Sequence, residues 1–351
     1  MPSNRPAQYQ RSTNITRSRQ ATIARQDEAL RLRRSGLSYI DIARRLGWTP
    51  NGVARPQSAA EAVRAAQRRE ALTNGVIASV AVTLTDFPSI PSTRTFGIEC
   101  EFFGIDVQTS LEALRDAGFN AEFERYHANT VPAGFWKVTT DGSVTSRGTG
   151  TGSGLEMVSP ILRGQQGFDD TIKAVKALLN AGAKVDKTCG LHVHLGMDGL
   201  TGADLIKVVE VYTANTANIN KVVASSRHNT RWAKKQDLSA SYLSSFKRAT
   251  DSSQIKALSS NLSHNERYHA VNLKSYSAHG TVEFRQHQGT LNAEKVVSWV
   301  KFVMALTEKA VTTSDTSVEF GSFPELLDNL PLANETKQFL GRRADALATS
   351  R

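Results

Sequence analysis

Apolar and polar residues alternate at period two in three short stretches, Phe96 to Phe102, Gly190 to Gly196 and Thr281 to His287, and this spacing predicts strands with one apolar and one polar face. Ile98, Cys100, Phe102, Leu191, Val193, Leu195, Val282 and Phe284 supply the apolar side that a half-buried antiparallel sheet needs. A fourth short strand is expected in GLEMVSP, ending at Pro160. Between the strands, apolar residues recur at helical spacing over Ser110 to Ala117, Asp169 to Ala181, Ala203 to Val223 and Ala293 to Val311, and Pro324 to Leu347 should add helices. Strands of one kind interleaved with such helices predict an α+β core.

The front of the chain follows another pattern. Asp27 to Arg34 reads as a helix, Gly36 as a turn, and Ser38 as the N-cap of a helix from Tyr39 to Leu46 that Gly47 breaks. Thr49 should cap a further turn through Val53 and Ala54, cut short by Pro56, and Ser58 to Ala71 again looks helical. Leu30, Leu37, Ile40, Ile42, Ala43 and Leu46 are the expected packing positions. The resulting division is a disordered basic tail over 1–22, a basic helical region over 23–72, a linker over 73–94 that carries Pro88 and Pro91, and a catalytic domain over 95–351.

Charge reinforces that division. Residues 1–70 hold 14 arginines, no lysine and five acids, so nearly all of the net charge of +10 lies there, while the remainder is almost balanced. The string GLSYIDIARRLGWTPNGVARP resembles a helix-turn-helix of the kind used on DNA, and its arginines are placed to meet phosphates. Residues 23–72 are therefore a candidate nucleic-acid surface; the competing reading is a basic appendage that docks on a protein or an acidic surface. An apolar content of 40% suits a globular enzyme. No run is long enough for a membrane helix and no signal peptide opens the chain, so a cytoplasmic enzyme without a membrane partner is expected. Two cysteines without paired spacing argue against a disulfide scaffold.

The polar strand faces carry the chemistry. Glu99 with Glu101, His192 with His194, and Glu283 with Arg285 and His287 would each share one surface, and Glu156 is a further acid on the GLEMV strand. Gathered on one sheet, these carboxylates would repel each other unless cations stood among them. Oxygen donors with one or two imidazoles suit Mg²⁺ or Mn²⁺ better than a structural zinc. The glycine-rich stretch Ser146 to Gly154 lacks the lysine and strand-to-helix setting of a P-loop and reads as a flexible loop that can close over the site.

With GIECEF, DGS at Asp141 to Ser143, GLEMVSP, CGLHVH, SSRHNTRW and the run RYHAVNLKSYSAHGTVEFRQHQGTLN, the chain resembles the amidoligases of the carboxylate-amine ligase superfamily, which includes glutamine synthetase and glutamate-cysteine ligase. The resemblance implies a curved antiparallel sheet, polar on its concave face and backed by helices. It also implies ATP and Mg²⁺ as cofactors, phosphorylation of a carboxylate to an acyl phosphate, and displacement by an amine. Carried onto this sequence, Glu99, His192 and Glu283 share one metal and Glu101 and Glu156 another. Arg285 stabilises the transferring phosphoryl group, and His194 and Asp141 lie near the reacting acid and amine. Arg227, Arg231 and Arg267 fall in matching segments and are candidates to grip ATP phosphates or a substrate carboxylate, with surface pairing as the alternative. A metal-dependent hydrolase and a DNA-binding protein with an inactive ligase core are the competing functions. Nothing in the residues selects the acid or the amine, either of which can be small or macromolecular.

Overall fold

The computed structural model describes residues 7–59, 62–63, 66, 94–125, 130–145, 154–237, 239–312 and 319–349, with side chains from residue 21 onward. The chain divides into two compact units, 1–83 and 84–351. The glycine-rich loop, apart from Gly154, and nearly all of the 73–94 linker lie outside the described residues.

The larger unit is α+β. Its sheet runs in the order β2 (Ala121–Phe123), β3 (Trp136–Asp141), β4 (Gly154–Val158), β1 (Thr95–Phe102), β6 (Gly190–Gly196), β8 (Thr281–Gln288), β7 (Val271–Asn272), with β5 (Leu162–Arg163) pairing to the start of β1. Among the described strands, only β2 and β3 pair in parallel. The anticipated apolar face is fully buried: Ile98, Cys100, Phe102, Leu191, Val193, Leu195, Val282 and Phe284 all belong to one core. Against it pack helices Gly164–Ala181, Gly202–Ala214 and Ala293–Thr312. The last is buried on every side from Val296 to Glu308, and Glu308 forms an ion pair with half-buried Arg94 just ahead of β1. Arg94 also donates to the Gly196 carbonyl (2.7 Å), tying the start of β1 to the end of β6.

Helix ends depart from the sequence pattern for local reasons. Helix Val107–Asp116 starts three residues early because Asp106 accepts the Thr109 N–H at 2.7 Å. The expected Ala203 to Val223 helix stops at Ala214, where buried Asn215 turns back to the Val211 carbonyl and accepts the Phe320 N–H; a short helix, Thr216–Ile219, follows. Helices Ala240–Arg248 and Ser252–Asn261 and strands β2, β3 and β5 were not anticipated. The tail forms Phe323–Asn329 and Asn334–Thr349, as expected.

In the smaller unit, a helix Ala7–Arg34 enters the stretch whose composition suggests disorder. Ser38 caps Tyr39–Arg45 by accepting the Asp41 N–H, and Gly47 ends it with positive φ. Thr49 opens only a single 3₁₀ turn, Pro50–Gly52, with no side-chain cap bond. Pro56, expected to end a helix, begins one: residues 56–59 are helical, as are 62–63 and 66. Proline suits that first turn because its missing N–H would have had no helical partner. Ala29, Leu30, Leu32, Ile42, Ala43, Ala59, Ala62, Val63 and Ala66 form a small core of their own, with Leu37 and Leu46 against it. Ile40, an expected packing residue, is 45% exposed.

Candidate active site

Register brings the polar residues together. On central β1, Glu99 faces His192 of β6, and Glu101 faces Glu156 of β4. His194 stands opposite Glu283 of β8, and Thr139 of β3 opposite Glu156. Cross-strand partners project to one face, so five strands contribute to a single surface.

Two groups of metal-competent atoms result. Glu99, His192 and Glu283 present ligand atoms within 4.8 Å of one another, and so do Glu101, Glu156 and His192. His192 stands between them: its Nδ1 lies 3.0 Å from Glu99 and 3.5 Å from Glu283, and its Nε2 lies 3.6 Å from Glu101. A neutral imidazole has one acceptor nitrogen, so His192 can lend its lone pair to one group while directing an N–H at the other.

The electrostatics are those of a crowded anionic site. Burial, then the neighbouring carboxylates Glu99, Glu101 and Asp141, pushes Glu156 well above the usual carboxylate range. Burial raises Glu101 as well, against the pull of His192. Burial works the same way on Glu99 and Glu283 but is outweighed, by His194 and His192 for Glu99 and by Arg285 and His194 for Glu283, so both lie below the usual carboxylate range. His194 is raised, Glu99 overcoming the effect of burial. These are oxygen-rich donors whose crowded charge a hard divalent cation would relieve, and the set fits Mg²⁺ or Mn²⁺.

Supporting hydrogen bonds fix these candidate ligands. Asn272 Nδ2 donates to Glu283 Oε2 at 2.6 Å, and Arg285 Nη1 bonds to the other carboxylate oxygen. The Gly190 N–H donates to Glu101 at 2.6 Å. A Cβ at Gly190 would come within 2.9 Å of His192 Nε2 and 3.1 Å of Arg227, so a side chain there would push one or both aside. Thr281 and Ser275 hydroxyls lie 2.9 and 3.1 Å from His194 Nδ1, leaving its Nε2 directed at Glu99, 3.1 Å away. Gly190, Ser275 and Thr281 were not singled out from sequence. The glycine ahead of LHVH was the only one with a local signal.

The other expected residues distribute as follows. Arg227 is buried, donates to the Arg285 carbonyl at 2.7 Å and leaves its Nε without a protein partner. Arg285, Arg231 and Arg267 gather around two aromatic rings: Arg231 over Trp232, Arg267 and Arg285 over Tyr268, with Trp232 edge-on to Tyr268. Arg231 is exposed and Arg267 half-buried. Asp141 lies beyond the Glu101–Glu156 row and accepts the Ser143 N–H, whereas His194 flanks the opposite end of the cluster.

His287 corrects the sequence pattern. A bulge in β8 opposite His192 adds a residue between Phe284 and His287, so His287 pairs with Leu191 and packs on Trp299 instead of sharing the Arg285 face. Burial pushes its imidazole down to about 3, leaving it a neutral core residue. His269 is structural, held by Asp237 and the Glu266 carbonyl. Cys100 and Cys189 are free and buried, and burial raises both thiols, Cys189 to about 11, which makes them poor nucleophiles at neutral pH.

Among the described residues, no helix is long and apolar enough to cross a membrane. No curated protein matches the chain. A family model described as "Putative amidoligase enzyme" matches residues 92–307, a span that contains all eight strands and every candidate ligand on them. The chain therefore belongs to this amidoligase family, whose members are ligases of the amide-bond-forming type.

Proposed function

We propose that this ligase is ATP-dependent and joins a carboxylate to an amine through an acyl phosphate. The observation that carries the reading is the convergence of two carboxylate–imidazole groups on one sheet face, with Arg285 bonded to a ligand of the first. Glu99, His192 and Glu283 would hold one Mg²⁺ or Mn²⁺, and Glu101 and Glu156 a second. Such ions, when bound, neutralise charge on the nucleotide phosphates.

The chain's own groups then divide the work. Arg285, kept cationic by Glu283 despite its burial, faces the charge that spreads over the γ-phosphoryl oxygens during transfer. Arg227 offers a buried N–H with no protein partner beside it. A substrate carboxylate oxygen attacks the γ-phosphorus and ADP departs with the electrons of the broken P–O bond. The amine nitrogen then attacks the acyl carbon, phosphate leaves with the C–O pair, and the nitrogen sheds a proton. His194, oriented by Thr281 and Ser275, lies beside Glu99 at the edge of the cluster, where it can position the acid or the amine.

The test is ADP release across a panel of acids and amines. It should require nucleotide, divalent cation, acid and amine together, and be lost in Glu283→Ala. A metal-dependent hydrolase would turn over without nucleotide, and an inactive core would release no ADP under any combination.

The smaller unit adds a second proposal, contact with nucleic acid. Arg25 and Arg33 are engaged in its own fold, bonded to the carbonyls of Leu46 and Leu37, but Arg45 and Arg55 are exposed around the helical turns. That surface supports phosphate contact by a unit carrying most of the chain's net positive charge.

A further inference from the structure

Next to the acid clusters, the sheet opens into a cavity of about 470 Å³ at the end of β1, β6 and β8 where Thr95, Gly196 and Thr281 lie. Glu99 and His194 form its inner wall, and its lining among the described residues includes neither Arg227 nor Arg285. Gly97 explains the opening. It stands two residues before Glu99 on the same face, across from His194, and contributes no side chain. A Cβ there would meet Ser159 Oγ at 3.5 Å, His194 Cβ at 3.9 Å and the Pro160 carbonyl at 4.0 Å, ordinary van der Waals distances, and a larger side chain would extend among the residues that line the cavity.

We propose that this cavity binds the amine co-substrate, and that the amine is carried on an amino acid or short peptide rather than supplied as ammonia. The proposal rests on the ligase reading above for the word co-substrate, but the binding site stands on its own geometry. Ammonia needs about the space of one water, roughly 30 Å³, and a cavity many times larger next to the reacting centre is built for something bigger. Its lining matches a zwitterion: Asp198 offers a carboxylate to an ammonium group, and Arg163 offers a guanidinium to a carboxylate. Val158, Pro160 and Ile161 add an apolar wall for a side chain, with Ile161 80% exposed at the rim. One arginine and two imidazoles, His194 and His279, beside two acids suit a polyphosphate less well than the arginines at the Arg285 end of the cluster.

Gly97→Leu tests the site by filling it, with Gly97→Ala as the gentle control. Binding of free amino acids, dipeptides and ammonium chloride to the full chain is measured by calorimetry without nucleotide, and Mg·ADP binding is measured on the same samples. The expected result is that an amino acid or dipeptide binds the wild type and binds Gly97→Leu about tenfold or more weakly, with Mg·ADP unaffected and ammonium giving no saturable signal. If Gly97→Leu fails to fold, as judged by its melting curve, Ile161→Trp at the exposed rim replaces it. The proposal is overturned if no amino acid or dipeptide binds, or if filling the cavity leaves their affinity unchanged. Binding that persists without any ADP release would instead count against the ligase reading and leave the site in place.

Discussion

His192 lies between two sets of acids with one nitrogen toward each, which makes its loss different in kind from the loss of any one carboxylate. His192→Ala should weaken both Mn²⁺ sites, whereas Glu156→Gln should weaken one, and a Mn²⁺ titration followed by electron paramagnetic resonance separates the outcomes. Equal loss in the two variants would contradict the shared imidazole. Asn272→Ala, which frees one oxygen of Glu283, should cost about 10- to 100-fold in metal affinity, as outer partners of ligands commonly do. Glu156 also makes a prediction in pH. Its folded pKa lies above the unfolded one, so in the window between them the folded chain holds more protons than the unfolded chain. Stability of the chelated protein from this group is therefore full below the ordinary Glu range and falls as pH rises through the raised pKa. The raised His194 acts in the same direction above the ordinary His range. Thermal melts in chelator should show Tm falling with pH more steeply in wild type than in Glu156→Gln, and Mg²⁺ should reverse the fall. A Tm slope identical in the two proteins would contradict the assignment.

Strand positions explain what was legible in the sequence. Residues two apart on β1 and β6 revealed which side chains share a face, because that rule depends on backbone geometry alone. The same rule failed at His287, since a single extra residue in β8 reverses facing and nothing in TVEFRQH marks it. Partners from distant segments, such as Asn272 for Glu283 and Ser275 for His194, were illegible for a different reason: their role comes from register between strands and a short helix, which local pattern does not encode. Helix Ala293–Thr312 was legible because its apolar residues are so dense, whereas the break at Asn215 depends on a partner more than a hundred positions away. At Gly190 the close passage of β6 leaves no room for a side chain. Gly190→Ala should thus displace His192 or Arg227 and cost about 1–3 kcal/mol of stability by overpacking, together with a loss of metal affinity. Denaturant unfolding and Mn²⁺ titration of that one variant check both, and wild-type values in both would contradict the packing argument.

At the scale of the molecule, two units carry two kinds of charge pattern. The larger one is a nearly neutral fold that concentrates acids at one site, and the smaller is a basic helical unit with its own small core. Composition marks residues 1–70 as the basic part of the chain, but Pro56 misled, because proline both ends and begins helices and only the surrounding turn decides which. Binding of full-length protein to mixed-sequence duplex DNA should weaken steeply with salt, and Arg45→Glu with Arg55→Glu should weaken it further and flatten the salt slope. Affinity indifferent to salt, or to both substitutions, would remove nucleic acid as a partner. The central claim, transfer through an acyl phosphate, is tested most directly by oxygen-18 placed in the carboxylates of the acid panel and followed into released phosphate. One labelled oxygen in the phosphate, present only with amine, nucleotide and divalent cation, is the predicted result; ADP accumulating while the phosphate carries no carboxylate label would contradict it.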